Sequence, residues 1–535
     1  MVTGKGKTTL VLLLASASVL SACSGDGAGQ TPTAKADEKI NRTGMPIVKE
    51  PIKVKAFAGR FLADNWNNLM LWKEYEKMTN IQVDWETVQK DVLPEKRNLL
   101  LASGDYPDLL YGAAIPRSDI LKYGQEGVFL PLNDLIDEYA PNFKKMMDQY
   151  PVIRKGITMA DGNIYSFPTI YDPEFKSVLT STMWMKKEWL DKLGLKEPTT
   201  TEEFYTVLKA IKEQDPNGNG KPDEIPLGSQ GIKGVLNKLS GSFGLFNHGA
   251  ANGFIDQDPA SGKLRFVATD PQYKEMLVYL NRLYKEGLID KEVFSIKTNE
   301  FIARASSGVY GFLNSNNPSA IYSQEGYIGM PVLKGPKGDQ KNNLVNPPLG
   351  NIGMFLLTKT NKNPEAMVRW MDYFYSDEGT RMFFMGFKDV TYKELPNGDL
   401  EYTDEILKNP KGLSLDQTVS QYLVWPGGYY PGFVRQKYFK GAEGRQTSVE
   451  NAKKAEPYTI KDVWPVFNFT LDEEERLLDV KNDIDTYVDE MRDKFISGAE
   501  PIEKWDAYVQ TINKMGLDRY MKVYQAAFER YQKEQ

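Results

Sequence analysis

Residues 215–224 read Asp215-Pro216-Asn217-Gly218-Asn219-Gly220-Lys221-Pro222-Asp223-Glu224, with an oxygen-bearing side chain at 215, 217, 219 and 223 and Gly220 directly after Asn219. This spacing folds a loop back on itself so that its oxygens converge, which is how proteins hold a hard cation such as calcium. Lys221 would contribute only its backbone carbonyl. The twelfth position, where a helix-loop-helix calcium site has its bidentate glutamate, is Pro226, so that ligation would fall to Glu224. A metal-free Asn/Gly/Asp turn is the alternative, because the same residues are ordinary turn formers. The loop stands between a helical stretch and the short apolar run 225–227 and has no second copy, which suits a structural clamp better than a sensor.

Other chemistry-bearing sets are sparse. His248 is the only histidine, so any histidine-dependent triad or metal site depends on it, and no G-x-S-x-G elbow presents a serine. A satisfied or surface role is the expectation for His248. A pair of glycoside-cleaving carboxylates is defined by separation in space and leaves no mark in sequence. The lone cysteine, Cys23, excludes a disulfide framework or a cysteine-based zinc site.

Cys23 closes the run Leu20-Ser21-Ala22-Cys23. Lys5 and Lys7 precede it as a positive region, and residues 10–20 form an apolar stretch of about eleven residues where a membrane span needs about twenty. The pattern looks like a bacterial lipobox: residues 1–22 are expected to be a removed signal peptide and Cys23 the acylated new N-terminus. More than one acyl chain makes such an anchor stable. Residues 23–50, rich in Gly, Ala, Lys, Thr and Asp, read as a flexible tether. Without the signal peptide 64 basic and 72 acidic side chains remain, a net charge of about −8 with no long run of either sign, so nucleic acid is not an expected partner.

The remaining chain exceeds what one hydrophobic core usually serves, which predicts two lobes. Ile52, Val54 and Ala56 alternate with Lys53 and Lys55, and Ile81, Val83 and Trp85 with Gln82 and Asp84; both are strand patterns. Between them Trp66, Leu69, Met70 and Trp72 recur at helical spacing, giving a strand, helix, strand unit and a parallel pairing. Thr200 with Glu203, and Thr470 with Glu473, are capping boxes; Phe204, Val207, Leu208 and Ile211 form one helical face, and Tyr273, Met276, Leu277, Leu280 and Tyr284 another. The fold class is α/β.

Aromatic residues make up 12% of the chain, with nine Trp and 29 Tyr. Sugar rings present apolar C–H faces and polar rims, and a site for them needs aromatic plates with a few convergent polar groups. Rings in Gly/Pro-flanked contexts are the candidates: Tyr171 before Asp172, Trp425 and Tyr429 in Trp-Pro-Gly-Gly-Tyr-Tyr-Pro-Gly, and Trp464 before Pro465. Arg60 and Trp66 follow the first strand and Tyr111 ends the one after the Ser103-Gly104-Asp105 turn, where open α/β sheets place ligands. Asp172 either meets a hydroxyl or caps the turn at Pro173. Trp72, Trp85, Trp189 and Trp370 lie in periodic segments and read as core.

The runs Ala102-Ser103-Gly104-Asp105-Tyr106-Pro107-Asp108-Leu109-Leu110 and Gly127-Val128-Phe129-Leu130-Pro131-Leu132 resemble the N-terminal lobe of extracellular solute-binding proteins of the sugar-binding family 1 type. Asp161-Gly162-Asn163-Ile164-Tyr165, Trp189-Leu190-Asp191-Lys192-Leu193-Gly194, the 215–224 loop, Tyr284-Lys285-Glu286-Gly287-Leu288-Ile289-Asp290 and Asp372-Tyr373-Phe374-Tyr375-Ser376 continue the likeness to its longer lipoprotein members. The resemblance implies a monomeric two-lobed periplasmic-binding-protein-like fold of type II that closes on an oligosaccharide and delivers it to the permease subunits of an ABC importer at the outer face of the cell membrane. Its longer members include alginate-oligosaccharide binders with a similar calcium loop. It further implies discontinuous lobes, 52–182 with 325–385 and 183–324 with 386–535. Gly112, Ala113, Ala114 and Ile115 stand where maltose-binding relatives carry a Trp and an acidic sugar contact, which argues against maltose. A receptor for peptides or other solutes, and a surface-anchored glycoside-cleaving enzyme, are the other classes; competition by sugars separates the first and product release the second.

Overall fold

The computed structural model describes residues 39–343 and 345–533; the signal peptide and Cys23 lie outside them. The strands that position the site are β1 (Ile52–Arg60), β2 (Ile81–Gln89), β3 (Leu109–Tyr111), β4 (Ser166–Phe167), β5 (Thr169–Tyr171), β6 (Trp184–Lys186), β7 (Ile225–Gly228), β8 (Tyr310–Leu313), β9 (Tyr327–Gly329), β10 (Phe355–Leu357) and β11 (Gly432–Val434). The helices needed below are α1 (Met70–Thr79), α2 (Arg117–Gln125), α3 (Thr201–Glu213), α4 (Ile232–Leu239), α5 (Pro271–Lys285), α6 (Gln446–Ala455), α7 (Leu471–Ser497) and α8 (Leu517–Lys533).

The expected strand, helix, strand unit is β1–α1–β2, with β1 and β2 parallel from Ile52↔Ile81 to Arg60↔Gln89. β1 alternates only in its first half; from Ala56 to Gly59 both faces are buried. That follows from its place in the sheet β2-β1-β3-β10-β4, where apolar layers cover both sides: Ala56 and Ala58 face one, Phe57 with Leu110 and Leu356 the other. The second sheet runs β9-β6-β8-β7, with β7 and β8 parallel and β6 antiparallel to β8 and β9.

Helix ends follow the local chemistry. Thr470 Oγ1 accepts from the Glu473 N–H at 3.2 Å and the Glu473 carboxylate accepts from the Thr470 N–H at 2.9 Å, a complete capping box for the 27-residue α7. At α3 the box is only half made: Thr200 caps Glu203 at 3.1 Å, but the Glu203 carboxylate reaches one residue further back, to the Thr199 N–H and hydroxyl. The predicted faces of α3 and α5 are buried, Tyr284 only partly.

The two largest of the buried clusters divide the chain into two lobes along boundaries that differ from the expected ones. The first draws on residues 40–175 and 349–439, the second on 183–333 and 464–528. Residues 387–439, expected in the second lobe, belong to the first, because β11 pairs with β5 and Trp425 packs on Phe384 and Phe439. Residues 327–333, expected in the first, belong to the second, because β9 pairs with β6. Three segments therefore cross between lobes, and they bond to one another: Thr180 bridges Val345, Asn342 bridges Thr459, the Asn346 N–H donates to the Leu179 carbonyl at 2.8 Å, and the Asn342 amide donates to the Thr180 hydroxyl.

A polar plug also joins the lobes. Asn468 of the second lobe donates through Nδ2 to the Lys155 carbonyl at 3.1 Å and the Thr158 carbonyl at 2.6 Å, and accepts from the Arg117 guanidinium at the start of α2. Arg117 also donates to the Gly156 carbonyl at 2.9 Å. Burial pushes the Arg117 guanidinium down to about 10, against the opposing pull of Glu474.

Candidate functional site: the cleft between the lobes

A cavity of about 580 Å³ opens between the lobes. The first lobe contributes Tyr171, the end of β5; the second contributes Gln230 after β7 and Asn314 and Asn316 after β8. Ligands in open α/β sheets gather at these carboxyl ends of strands, where backbone and short polar side chains are left facing outward. The Asn314 amide donates to Ser229 Oγ at 3.2 Å, tying the two strand ends together.

A lysine and a glutamate share this cavity. Lys238, on α4, donates from Nζ to the Ser181 carbonyl and hydroxyl, both at 2.8 Å, and burial pushes its ammonium down to about 7. Glu443 accepts from the Asn316 amide at 3.3 Å, and burial raises its carboxyl above the usual range. Beyond Leu179, Thr180 and Asn346, which line both spaces, a more apolar cavity of about 520 Å³ continues past Pro173, Val345 and Ile460 toward Tyr531.

A second cluster stands beyond the carboxyl ends of β1 and β2. The rings of Phe61 and Tyr429 stack at 5.2 Å and 22°, both half-buried, and the Lys90 ammonium sits 4.8 Å from the Phe61 centroid and 5.9 Å from that of Tyr429. Arg60, the last residue of β1, ion-pairs with Asp64. The Tyr429 loop reaches this position by lying on Gly112, just past β3. A Cβ at Gly112 would fall 2.4 Å from the Tyr429 carbonyl oxygen, and both residues have left-handed backbone (φ +58° and +59°).

Four of the expected sugar-facing rings are core instead. Trp66 and Tyr111 are 3% and 0% exposed and pack with Trp72, Trp85 and Trp370 in one aromatic cluster. Trp425 is 3% exposed and donates its indole N–H to the Phe384 carbonyl at 3.1 Å. Trp464 is 4% exposed between Phe467, Phe528 and His248. Pro and Gly mark a turn in the backbone, and such a turn can as readily drive a ring inward as outward. Asp172 caps the turn, accepting from the Glu174 N–H at 3.0 Å, and meets Arg435 at 3.5 Å. Tyr171, Tyr429 and Arg60 stay partly open, but only Tyr171 lines the interlobe cavity. Sequence reasoning missed Phe61, Lys90, Lys238, Gln230 and Glu443. The run Asn314-Ser315-Asn316-Asn317-Pro318 after an apolar strand was the one available signal of a polar strand end.

His248 has the satisfied role expected. It stacks on Trp464 at 4.1 Å and lies 3.4 Å from both Asp256 and Asp462.

The 215–224 loop closes on itself between α3 and β7, at the end of β7 opposite Gln230. Asp215 accepts from the N–H groups of Gly218, Asn219 and Gly220 at 2.8, 3.1 and 2.7 Å, and these bonds, led by Gly220, hold its carboxyl below the usual range. Asp223 accepts from the amides of Asn217 and Asn219. Glu224 is 9% exposed, its carboxyl raised by burial beside Asp215 and Asp223, and it accepts from the Asn217 N–H at 3.4 Å. Among the described residues no three His, Cys, Asp or Glu side chains group closely enough to hold an ion by themselves. A cation here would need the Asn217 and Asn219 amide oxygens and the Lys221 carbonyl beside the carboxylates of Asp215, Asp223 and Glu224, and an all-oxygen set of this kind suits a hard cation.

Among the described residues no helix is long and apolar enough to cross a membrane. Residues 64–381 match the family of bacterial extracellular solute-binding proteins. The chain is 30% identical to the fructooligosaccharide ABC transporter substrate-binding protein FusA of Streptococcus pneumoniae, over 98% of this chain and 97% of that one. It is 27% identical to the polygalacturonan/rhamnogalacturonan-binding protein YtcQ of Bacillus subtilis, over 67% and 68% of the two chains. An EF-hand mutant of FusA in complex with fructo-nystose superposes with a TM-score of 0.71 at 26% identity, over 90% of this chain and all of that one. The alginate-binding protein AlgQ2 without calcium ion does so with 0.68 at 25%, over 90% and 99%. With two lobes, an interlobe cleft and a match across more than half its length, this chain belongs to the bacterial extracellular solute-binding protein family.

Proposed function

We propose that this protein is a lipid-anchored extracellular receptor that captures an oligosaccharide between its lobes and hands it to the membrane subunits of an ABC importer. The observation that carries the reading is the 580 Å³ cavity whose polar lining comes from both lobes. A ligand that touches both walls favours the closed arrangement by its differential contacts, and the three crossing segments supply the hinge. Tyr171 offers a half-buried ring, Gln230, Asn314 and Asn316 offer hydrogen bonds to hydroxyls, and the Phe61–Tyr429 stack with Lys90 and Arg60 supplies a second face on the first lobe. The carbohydrates named for FusA, YtcQ and AlgQ2 support the ligand class.

The protein acts by binding and release, without cleaving its ligand, as a monomer tethered through lipid on Cys23. Calcium occupies the 215–224 loop, held by Asp215, Asn217, Asn219, Lys221, Asp223 and Glu224; when bound it neutralises the clustered carboxylates and fastens the end of α3 to β7. The EF-hand of FusA and the calcium ion named for AlgQ2 support this reading.

The test is a thermal-shift screen of the protein lacking residues 1–23, with calcium, against plant, algal and host oligosaccharides, with peptides as controls. Ligand that binds the native state alone raises the melting temperature. A shift with one sugar class and intact recovery of that sugar supports the reading. A response to peptides only, or release of cleaved sugar, overturns it.

A further inference from the structure

The cleft holds one cation without a counter-ion. Lys238 lies on α4 one turn after Gly234, and that face is pressed against the strand ends: a Cβ at Gly234 would fall 2.1 Å from the Asn314 amide nitrogen. Two of the ammonium's three protons go to the Ser181 carbonyl and hydroxyl at 2.8 Å, and among the described residues no carboxylate pairs with it. Other enclosed cations of this chain have partners of two kinds: Arg265 pairs with Asp256 and Asp270 and Arg492 with Asp489 and Asp493, while Arg97 and Arg117 rest on backbone carbonyls and neutral amides. Glu443, the carboxyl that lines the same cavity, is turned to Asn316 instead. A half-buried ammonium with an unused donor and no opposite charge gains when an incoming group brings the missing charge.

We propose that Lys238 determines specificity by receiving a carboxylate of the ligand, so that the cleft selects acidic oligosaccharides, built with uronate units, over neutral ones. This rests on the receptor reading above and narrows it. The neighbours in the cavity suit such a ligand: Asn314, Asn316 and Gln230 meet the hydroxyls while Tyr171 covers a ring face. The relatives bracket the choice, since fructooligosaccharides are neutral while polygalacturonan and alginate are acidic. The depression of the Lys238 ammonium to about 7 agrees with the absence of a counter-charge in the free protein.

The experiment compares uronate trisaccharides of the galacturonate, mannuronate and glucuronate series with their methyl esters, which lack the charge, and with a neutral fructosyl trisaccharide. Affinities are measured by calorimetry at pH 6.5 on the calcium-loaded protein and on Lys238→Met and Lys238→Arg. At least one free acid should bind about tenfold or more tightly than its ester, as a close charge pair allows. Lys238→Met should erase that preference while the ester's affinity moves less than about threefold, and Lys238→Arg should retain part of it. Equal binding of acid and ester, a preference that survives in a folded Lys238→Met, or binding of neutral sugars alone overturns the proposal and leaves the receptor reading standing. Binding of no sugar from any class overturns both.

Discussion

Replacing Asn468 by alanine tests whether the polar plug ties the lobes together. The side chain makes three contacts, two donated to the Lys155 and Thr158 carbonyls and one accepted from Arg117. Its removal leaves the buried guanidinium with the Gly156 carbonyl as its remaining hydrogen-bond acceptor. Losing a charged hydrogen bond in a buried setting costs about 2 kcal/mol, and each carbonyl, which keeps a second lone pair, about 0.5 kcal/mol. The sum, about 3 kcal/mol, lowers the melting temperature by roughly 6–12 °C if each lobe unfolds as a unit of ordinary size. Asn468→Asp should not rescue: the carboxylate suits Arg117 but sets an oxygen against two carbonyls. Calorimetry reads the stability, and hydrogen exchange reads amides 155–158, which should lose protection first. A melting temperature within about 2 °C of wild type for Asn468→Ala would refute the reasoning, since the plug would then be decoration on a joint held elsewhere.

Three further outcomes are expected. Chelation should lower the melting temperature and calcium restore it, and Asp215→Ala should abolish both responses; an unchanged melt in metal-free protein removes calcium from the 215–224 loop. Trp425→Ala should cost about 3–5 kcal/mol of stability as a core truncation, while Tyr429→Ala should cost under about 1 kcal/mol yet weaken ligand about tenfold; the reverse pattern in melting and calorimetry would exchange their roles. The folded protein releases the Lys238 proton from about 7 and the unfolded chain holds it to about 10.5. The unfolded state thus binds more protons in that window, and stability should rise with pH across it. Lys238→Met should flatten this slope and raise the melting temperature of the free protein at pH 7, and acid-ligand affinity should fall above that pH. A slope unchanged in the variant would refute the assignment.

Local chemistry was legible in the sequence wherever neighbours along the chain decide the outcome. The β1–α1–β2 unit, the Thr470 box and the buried face of α5 all follow from spacing within one or two turns. The distribution of segments between lobes was not: residues 387–439 join the first core through β11 and Trp425, partners more than 200 positions from β5 in one case and near Phe384 in the other, and no periodicity records such a choice. The aromatic plates failed for a related reason. Trp425 and Trp464 stand before prolines in irregular segments, yet each has enough ring neighbours from elsewhere in the chain to be covered almost completely. Lys238 was invisible because a lysine on an amphipathic helix ordinarily reaches water, and only the approach of Ser181 and the strand ends makes this one a wall of the cleft.

The middle of the first sheet carries a temporal consequence. β10 lies between β3 and β4, so the hydrogen-bond ladder joining residues 109–111 to 166–167 stays open until residues 355–357 arrive, and the same lobe still awaits 432–434 to cover β5. A chain emerging from the ribosome cannot complete this lobe until more than four-fifths of it has been made. Pairings so distant in sequence form slowly, so the first lobe should gain its native order late, after most of the chain is available to it.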